Sequence, residues 1–146
     1  MSSGESTLVV SAHAADFVWR AGGAIALAAA RGDRVTVLCL TYGERGESAS
    51  AWRAGQGLEE IKALRRAEAE NAAAALGAEI EFLDAGDYPL RETDELVDRI
   101  VGMYRRVNPS VVARSSRSWI SCALSSATSI IWSATLYPAP NTRGRT

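Results

Sequence analysis

The chain has 146 residues, 47% of them hydrophobic and 23% charged, which suits one globular domain with a single sizeable core. A formal net charge of −1 gives no electrostatic basis for binding nucleic acid or an anionic membrane surface. No apolar run reaches membrane-spanning length, and the opening MSSGEST lacks the basic and apolar regions of a secretory signal, so a cytoplasmic location is expected. Cys39 and Cys122 lie far apart and form no metal-type pair, so both are expected as reduced thiols.

The first predicted element is a short buried strand, Leu8-Val9-Val10. It breaks at Ser11-Ala12 and delivers His13, the only histidine, with Asp16 three residues later. Such a pair at a strand end is placed to hold a metal or an anion; a lone histidine beside a helix-capping aspartate would look the same. After Gly22-Gly23 the alanine-rich stretch Ala24–Arg31 predicts a helix, closed by Gly32. Arg34–Leu40 is β-branched and nearly all apolar, a second strand buried on both faces. The long glycine-rich loop Thr41–Gly57 favours a functional segment over a plain connector. Leu58–Leu76 has helical periodicity, with a charged face that includes Arg65, Arg66, Glu68 and Glu70, read as solvated. Gly77 closes that helix, and Ala78–Leu83 is a third strand leading to a loop with Asp84 and Asp87. Thr93–Val107 is a further helix, whose Thr-Asp-Glu start suits the positive end of a helix dipole. Asn108-Pro109 stops it, and Ser110–Ala113 predicts a fourth strand.

This alternation predicts an α/β fold, a Rossmann-like parallel sheet with helices on both faces and right-handed crossovers. Ligands in such sheets bind beyond the carboxyl ends of the strands. Three ionisable clusters fall there: His13 and Asp16, then Glu44, Arg45 and Glu47, then Asp84 and Asp87. An active site is the favoured reading, with solvated loops as the alternative.

The composition changes sharply near the end. All 17 acidic residues lie at or before Asp98, and from Ser115 the chain is rich in Ser, Arg, Ala and Thr without clean periodicity. Residues 1–113 therefore read as the α/β unit and 114–146 as an atypical tail, with a shifted reading frame expected. Four strands would leave one sheet edge exposed, which favours association between copies of the chain.

The motifs SAHAADFVWRAGG, TYGERGES, RRAEAENAAAALGAE and the D-x-x-D-Y-P loop together resemble the PIG-L/LmbE family of zinc enzymes over residues 7–113. Within it, the likeness is sharpest to the 4-oxalomesaconate hydratases of aromatic-acid catabolism. The family's deacetylases carry an aspartate general base where this chain has Ala15, and keep the next aspartate, here Asp16, as a metal ligand. The resemblance thus implies zinc on His13 and Asp16, with a third protein ligand, a second histidine, absent from this chain. It further implies a hydro-lyase acting on a small polycarboxylate. Glu47 or Glu44 would serve as acid/base, Glu47 being preferred beyond the flexible Gly46; Arg20, Arg45 and Arg53 would clamp substrate carboxylates. For each arginine a plain surface charge is the alternative, and Trp19 and Trp52 would either wall the pocket or pack inside. Two other readings remain, a zinc N-deacetylase and an inactive fragment or pseudoenzyme.

Overall fold

Parallel strand pairing orders the chain, as the β-branched runs require. The computed structural model describes residues 4–115 and 137–138. Strands β1 (Ser6–Ser11), β2 (Arg34–Cys39), β3 (Glu79–Phe82) and β4 (Val111–Arg114) form a parallel sheet in the order β3-β2-β1-β4. The two-residue strand β5 (Tyr137–Pro138) then pairs antiparallel with β4, so the edge expected to be bare has a fifth strand against it. Apart from Arg114, Ser115 and β5, the tail at 114–146 lies outside the described residues.

The central strands β1 and β2 are buried on both sides because helices cover both faces of the sheet. Helices α1 (Asp16–Ala30) and α3 (Leu58–Leu76) pack on the face formed by Val9, Val35, Val37 and Cys39. Helix α4 (Asp94–Val107) packs Leu96, Ile100, Met103 and Val107 on the other face, against Leu8, Val10, Leu38 and Leu40. Edge strand β3 shows the alternation of a half-covered strand, with Glu79 and Glu81 outward and Ile80 and Phe82 partly buried. No helix among the described residues is long and apolar enough to cross a membrane.

The helix ends follow their local chemistry. In α4 the Thr93 hydroxyl accepts from the Leu96 amide at 3.2 Å, Asp94 and Glu95 occupy the first turn, and Arg105 and Arg106 the last. In α3 the Glu60 carboxylate reaches back to accept from the Gly57 amide at 3.0 Å. Gly77 ends α3 in the left-handed conformation, φ 76°, and a Cβ there would lie 2.9 Å from the Ala29 Cβ of α1. Two expectations need correction. Helix α1 begins at Asp16 and runs straight through Gly22 and Gly23, because Gly22 is buried at the α1–α3 contact. The loop after β2 also contains a short helix, α2 (Ala49–Arg53).

Candidate metal site

The site lies beyond the carboxyl ends of β1, β2 and β3. Strand β1 releases the chain at Ser11, whose hydroxyl donates to the His13 carbonyl at 2.8 Å and fixes the turn that presents His13. Asp16 is the first residue of α1, where the helix dipole favours a carboxylate. The chain leaving β2 turns back at Gly43, φ 69°, a left-handed conformation that needs glycine. A Cβ on Gly43 would sit 2.7 Å from Glu47 Oε2 and 3.3 Å from His13 Cβ, so the turn also leaves no room for a side chain. The turn brings Glu47 over His13.

His13 is ringed by three carboxylates. Its Nδ1 lies 3.1 Å from Asp16 Oδ2 and 3.8 Å from Glu47 Oε1, and its Nε2 lies 3.3 Å from Asp87 Oδ1. His13, Asp16 and Glu47 each offer one donor atom within 4.8 Å of the others, a group able to hold a metal ion. The hydrogen bond with Asp16 holds the His13 imidazole above its usual pKa of 6.5 despite partial burial, with Glu47 and Asp87 adding to the effect. The same bond holds the Asp16 carboxyl below its usual 3.8, with Arg20 contributing.

Asp87, read from sequence only as part of a carboxylate loop, is the buried partner of this group. Its side chain is 4% exposed, and its Oδ2 accepts from the amides of Arg45 and Gly46 at 2.9 and 3.0 Å. Asp84 turns away, pairing with Lys62 Nζ of α3 at 2.9 Å. A metal-binding histidine commonly gives its second nitrogen to a carboxylate that fixes its tautomer and orientation. Asp87 has the position for that task.

The other expected site residues divide by position. Glu44 is 2% exposed, and its two oxygens accept from the amides of Asp87 and Tyr42 at 3.0 and 3.2 Å. It ties the loop after β2 to the loop after β3 and is not among the donors around His13. Arg20 Nε lies 3.5 Å from Asp16 Oδ1, with the side chain 60% exposed. Arg45 and Arg53 are exposed on the loop, Arg45 contributing its amide to Asp87. Trp52 donates to the Glu44 carbonyl, whereas Trp19 is exposed and, with Ala15, Val18 and Arg65, lines a hollow of about 160 Å³ beside the site. Arg65, expected in solvent, instead reaches Glu47 Oε2 at 3.0 Å.

Comparison with known proteins gives this geometry a context. The family model described as PIG-L, GlcNAc-PI de-N-acetylase, matches residues 8–119. A 4-oxalmesaconate hydratase of Pseudomonas putida is 55% identical over 113 residues, covering 77% of this chain and 44% of the relative. The crystal structure of the 4-carboxy-2-hydroxymuconate hydratase GalB of Pseudomonas putida superposes with a TM-score of 0.73 at 55% identity, over 75% of this chain and 46% of that one. An N,N′-diacetylchitobiose deacetylase from Pyrococcus horikoshii, solved with an inhibitor, gives a TM-score of 0.67 at 28% identity, over 74% of this chain and 39% of that one. The chain therefore spans less than half the length of these relatives.

Proposed function

Because the chain belongs to the PIG-L, GlcNAc-PI de-N-acetylase family, we propose that its His13, Asp16 and Glu47 form the zinc group of a hydro-lyase acting on an unsaturated keto polycarboxylate of the 4-oxalomesaconate, or 4-carboxy-2-hydroxymuconate, type. The donor set suits the ion. Around tetrahedral zinc with bonds of about 2.0–2.1 Å, neighbouring donors lie roughly 3.3 Å apart. The separations of 3.1 and 3.8 Å from His13 Nδ1 bracket that value. One nitrogen and two carboxylate oxygens leave a coordination position for water or substrate.

Zinc held there would supply Lewis-acid polarisation of the substrate's conjugated carbonyl. The remaining roles fall to side chains. Asp87 Oδ1, 3.3 Å from His13 Nε2, would take up that nitrogen's proton and keep Nδ1 turned toward Asp16 and Glu47. Glu47 is the more exposed carboxylate of the group, 31% against 17% for Asp16, and the one farther from Nδ1. It is the member most open to water and substrate; the acid/base role is its alternative to that of a donor, because Arg65 holds Oε2 and Oε1 alone cannot serve both. Arg20 on α1, Arg45 on the loop after β2 and Arg53 at the end of α2 would serve as cations for substrate carboxylates.

The observation that carries a hydratase over a deacetylase is Ala15. It stands directly before Asp16, at the position where the resemblance implies that the family's deacetylases carry their aspartate base. The test is absorbance decay of the conjugated substrate with zinc-loaded chain, set against acetate release from an N-acetylglucosaminyl compound. Zinc-dependent decay that disappears in H13A is expected, and acetate release would overturn the assignment. A second reading follows from the single histidine: one nitrogen donor makes a weak zinc site, and the 146-residue chain would then act as a poorly active part of the larger enzyme. Turnover near that of the full-length relatives would refute this second reading.

A further inference from the structure

Helix α3 carries two adjacent arginines with different fates. Arg66 pairs with Glu70 one turn on, and both side chains are about half exposed, the ordinary solvated pair of a helix surface. Arg65 is 17% exposed, and its Nε is buried without a hydrogen-bond partner. Burying a guanidinium is unfavourable unless its charge is engaged. Here it is engaged twice, Nη2 to Glu47 Oε2 at 3.0 Å and Nη1 to Glu68 Oε2 at 2.8 Å. The rigid planar fork thus holds one oxygen of Glu47 and leaves the other, Oε1, facing His13 Nδ1.

We propose that Arg65 is a positioning residue of the metal group, acting through Glu47, and that Glu68 in turn fixes Arg65. The inference rests on the reading of His13, Asp16 and Glu47 as metal donors. Glu47 sits on an exposed stretch of loop, and its long side chain gives up substantial rotamer freedom to point one oxygen at His13. Arg65 imposes that ordering before a metal arrives. Its own charge is largely cancelled by Glu68, so its influence on a cation is exerted through the aim of Glu47 more than through repulsion. The brace also links the loop after β2 to the middle of α3, a helix that contributes no donor of its own.

The test is zinc affinity of the 146-residue chain, measured by competition with a chromophoric chelator, with the circular dichroism spectrum recorded for each variant. R65M is expected to bind zinc about tenfold more weakly, the scale of a lost outer-shell contact. R65K, which keeps a cation able to reach one carboxylate, is expected to recover part of the loss, and E68Q to show a smaller loss of its own. The effect of R65M should vanish in an E47Q background, an outcome that a general structural role for Arg65 would not give. Unchanged or tighter binding by R65M with a normal spectrum overturns the inference alone, since the guanidinium would then compete for Glu47. A misfolded R65M shifts the decision to R65K and E68Q, where unchanged affinity in both likewise overturns it. Zinc bound equally by wild type and H13A, or by neither, overturns the metal reading and this inference with it.

Discussion

Replacing Gly43 with alanine puts a methyl group where the site has no space. The backbone there has φ 69°, and an L-residue held in that conformation costs roughly 1–2 kcal/mol. The added Cβ would also lie 2.7 Å from Glu47 Oε2 and 3.3 Å from both Glu47 Cδ and His13 Cβ. Glu47 Oε2 cannot swing aside freely, because it is paired with Arg65 Nη2 at 3.0 Å. The carboxylate must either break that pair or move with it, and in both cases Oε1 leaves its place near His13. G43A should therefore lower the melting temperature by about 2–8 °C and weaken zinc binding as well. G77A supplies the control. Gly77 has nearly the same φ, 76°, and a tight Cβ contact of its own, but with Ala29 at the α1–α3 contact. G77A should destabilise the fold at least as much while the folded protein keeps its zinc affinity. Thermal melts by circular dichroism and chelator competition on both variants decide the matter. Equal zinc affinity in G43A and wild type would refute the claim that Gly43 is glycine for the sake of Glu47.

Glu44 should behave as a brace: E44Q sets an amide NH₂ against backbone N–H groups and should cost about 1–3 kcal/mol in denaturant unfolding. A catalytic loss in E44Q at unchanged stability would contradict the buried placement of Glu44. In the metal-free chain His13 titrates above 6.5, so its contribution to stability is complete below pH 6.5 and is lost as pH rises through the folded value. Asp16, lowered below 3.8, contributes above its unfolded pKa and loses that contribution as pH falls through its folded value. Melting temperatures across pH 3–9 and an NMR titration of the single histidine check both signs; a His13 midpoint below 6.5 would contradict the pairing with Asp16. Zinc must also displace the His13 proton, so its affinity should rise with pH through that midpoint. Finally, burial pushes the Cys39 thiol up to about 12. In a C122S background the folded chain should resist alkylation at pH 8 and react only on unfolding, whereas rapid labelling would show that the space behind His13 opens.

Periodicity made the sheet and α3 legible in advance. The runs at Arg34–Cys39 and Leu58–Leu76 repeat their apolar residues over enough positions to override any single residue. The start of α1 was not legible, because Gly22 and Gly23 read locally as breakers. Their modest helix penalty is outweighed by packing against α3, which no local pattern reveals. The two halves of the candidate site differed in the same way. His13 and Asp16 are three residues apart at a strand end, and their pairing is a local fact. Choosing between Glu44 and Glu47 depends on the sense of the turn at Gly43, which sends one side chain into the protein and the other over His13. Arg65 and Asp87 lie 18 and 41 residues from their nearest partners in the site's second loop, beyond what spacing can show. An arginine with glutamates on the same helix looks solvated from sequence, and only the packing of α3 against the loop distinguishes Arg65 from Arg66.

The reciprocal fastening of Glu44 and Asp87 has a dynamic consequence. Glu44 accepts from the Asp87 amide, and Asp87 accepts from the amides of Arg45 and Gly46, so each loop supplies the other's acceptor. Neither loop can lift without stranding a buried carboxylate of the other, and the two must open as one cooperative unit. The amide protons of Tyr42, Arg45, Gly46 and Asp87 should then exchange with solvent at a common free energy, although 45 residues separate the first from the last.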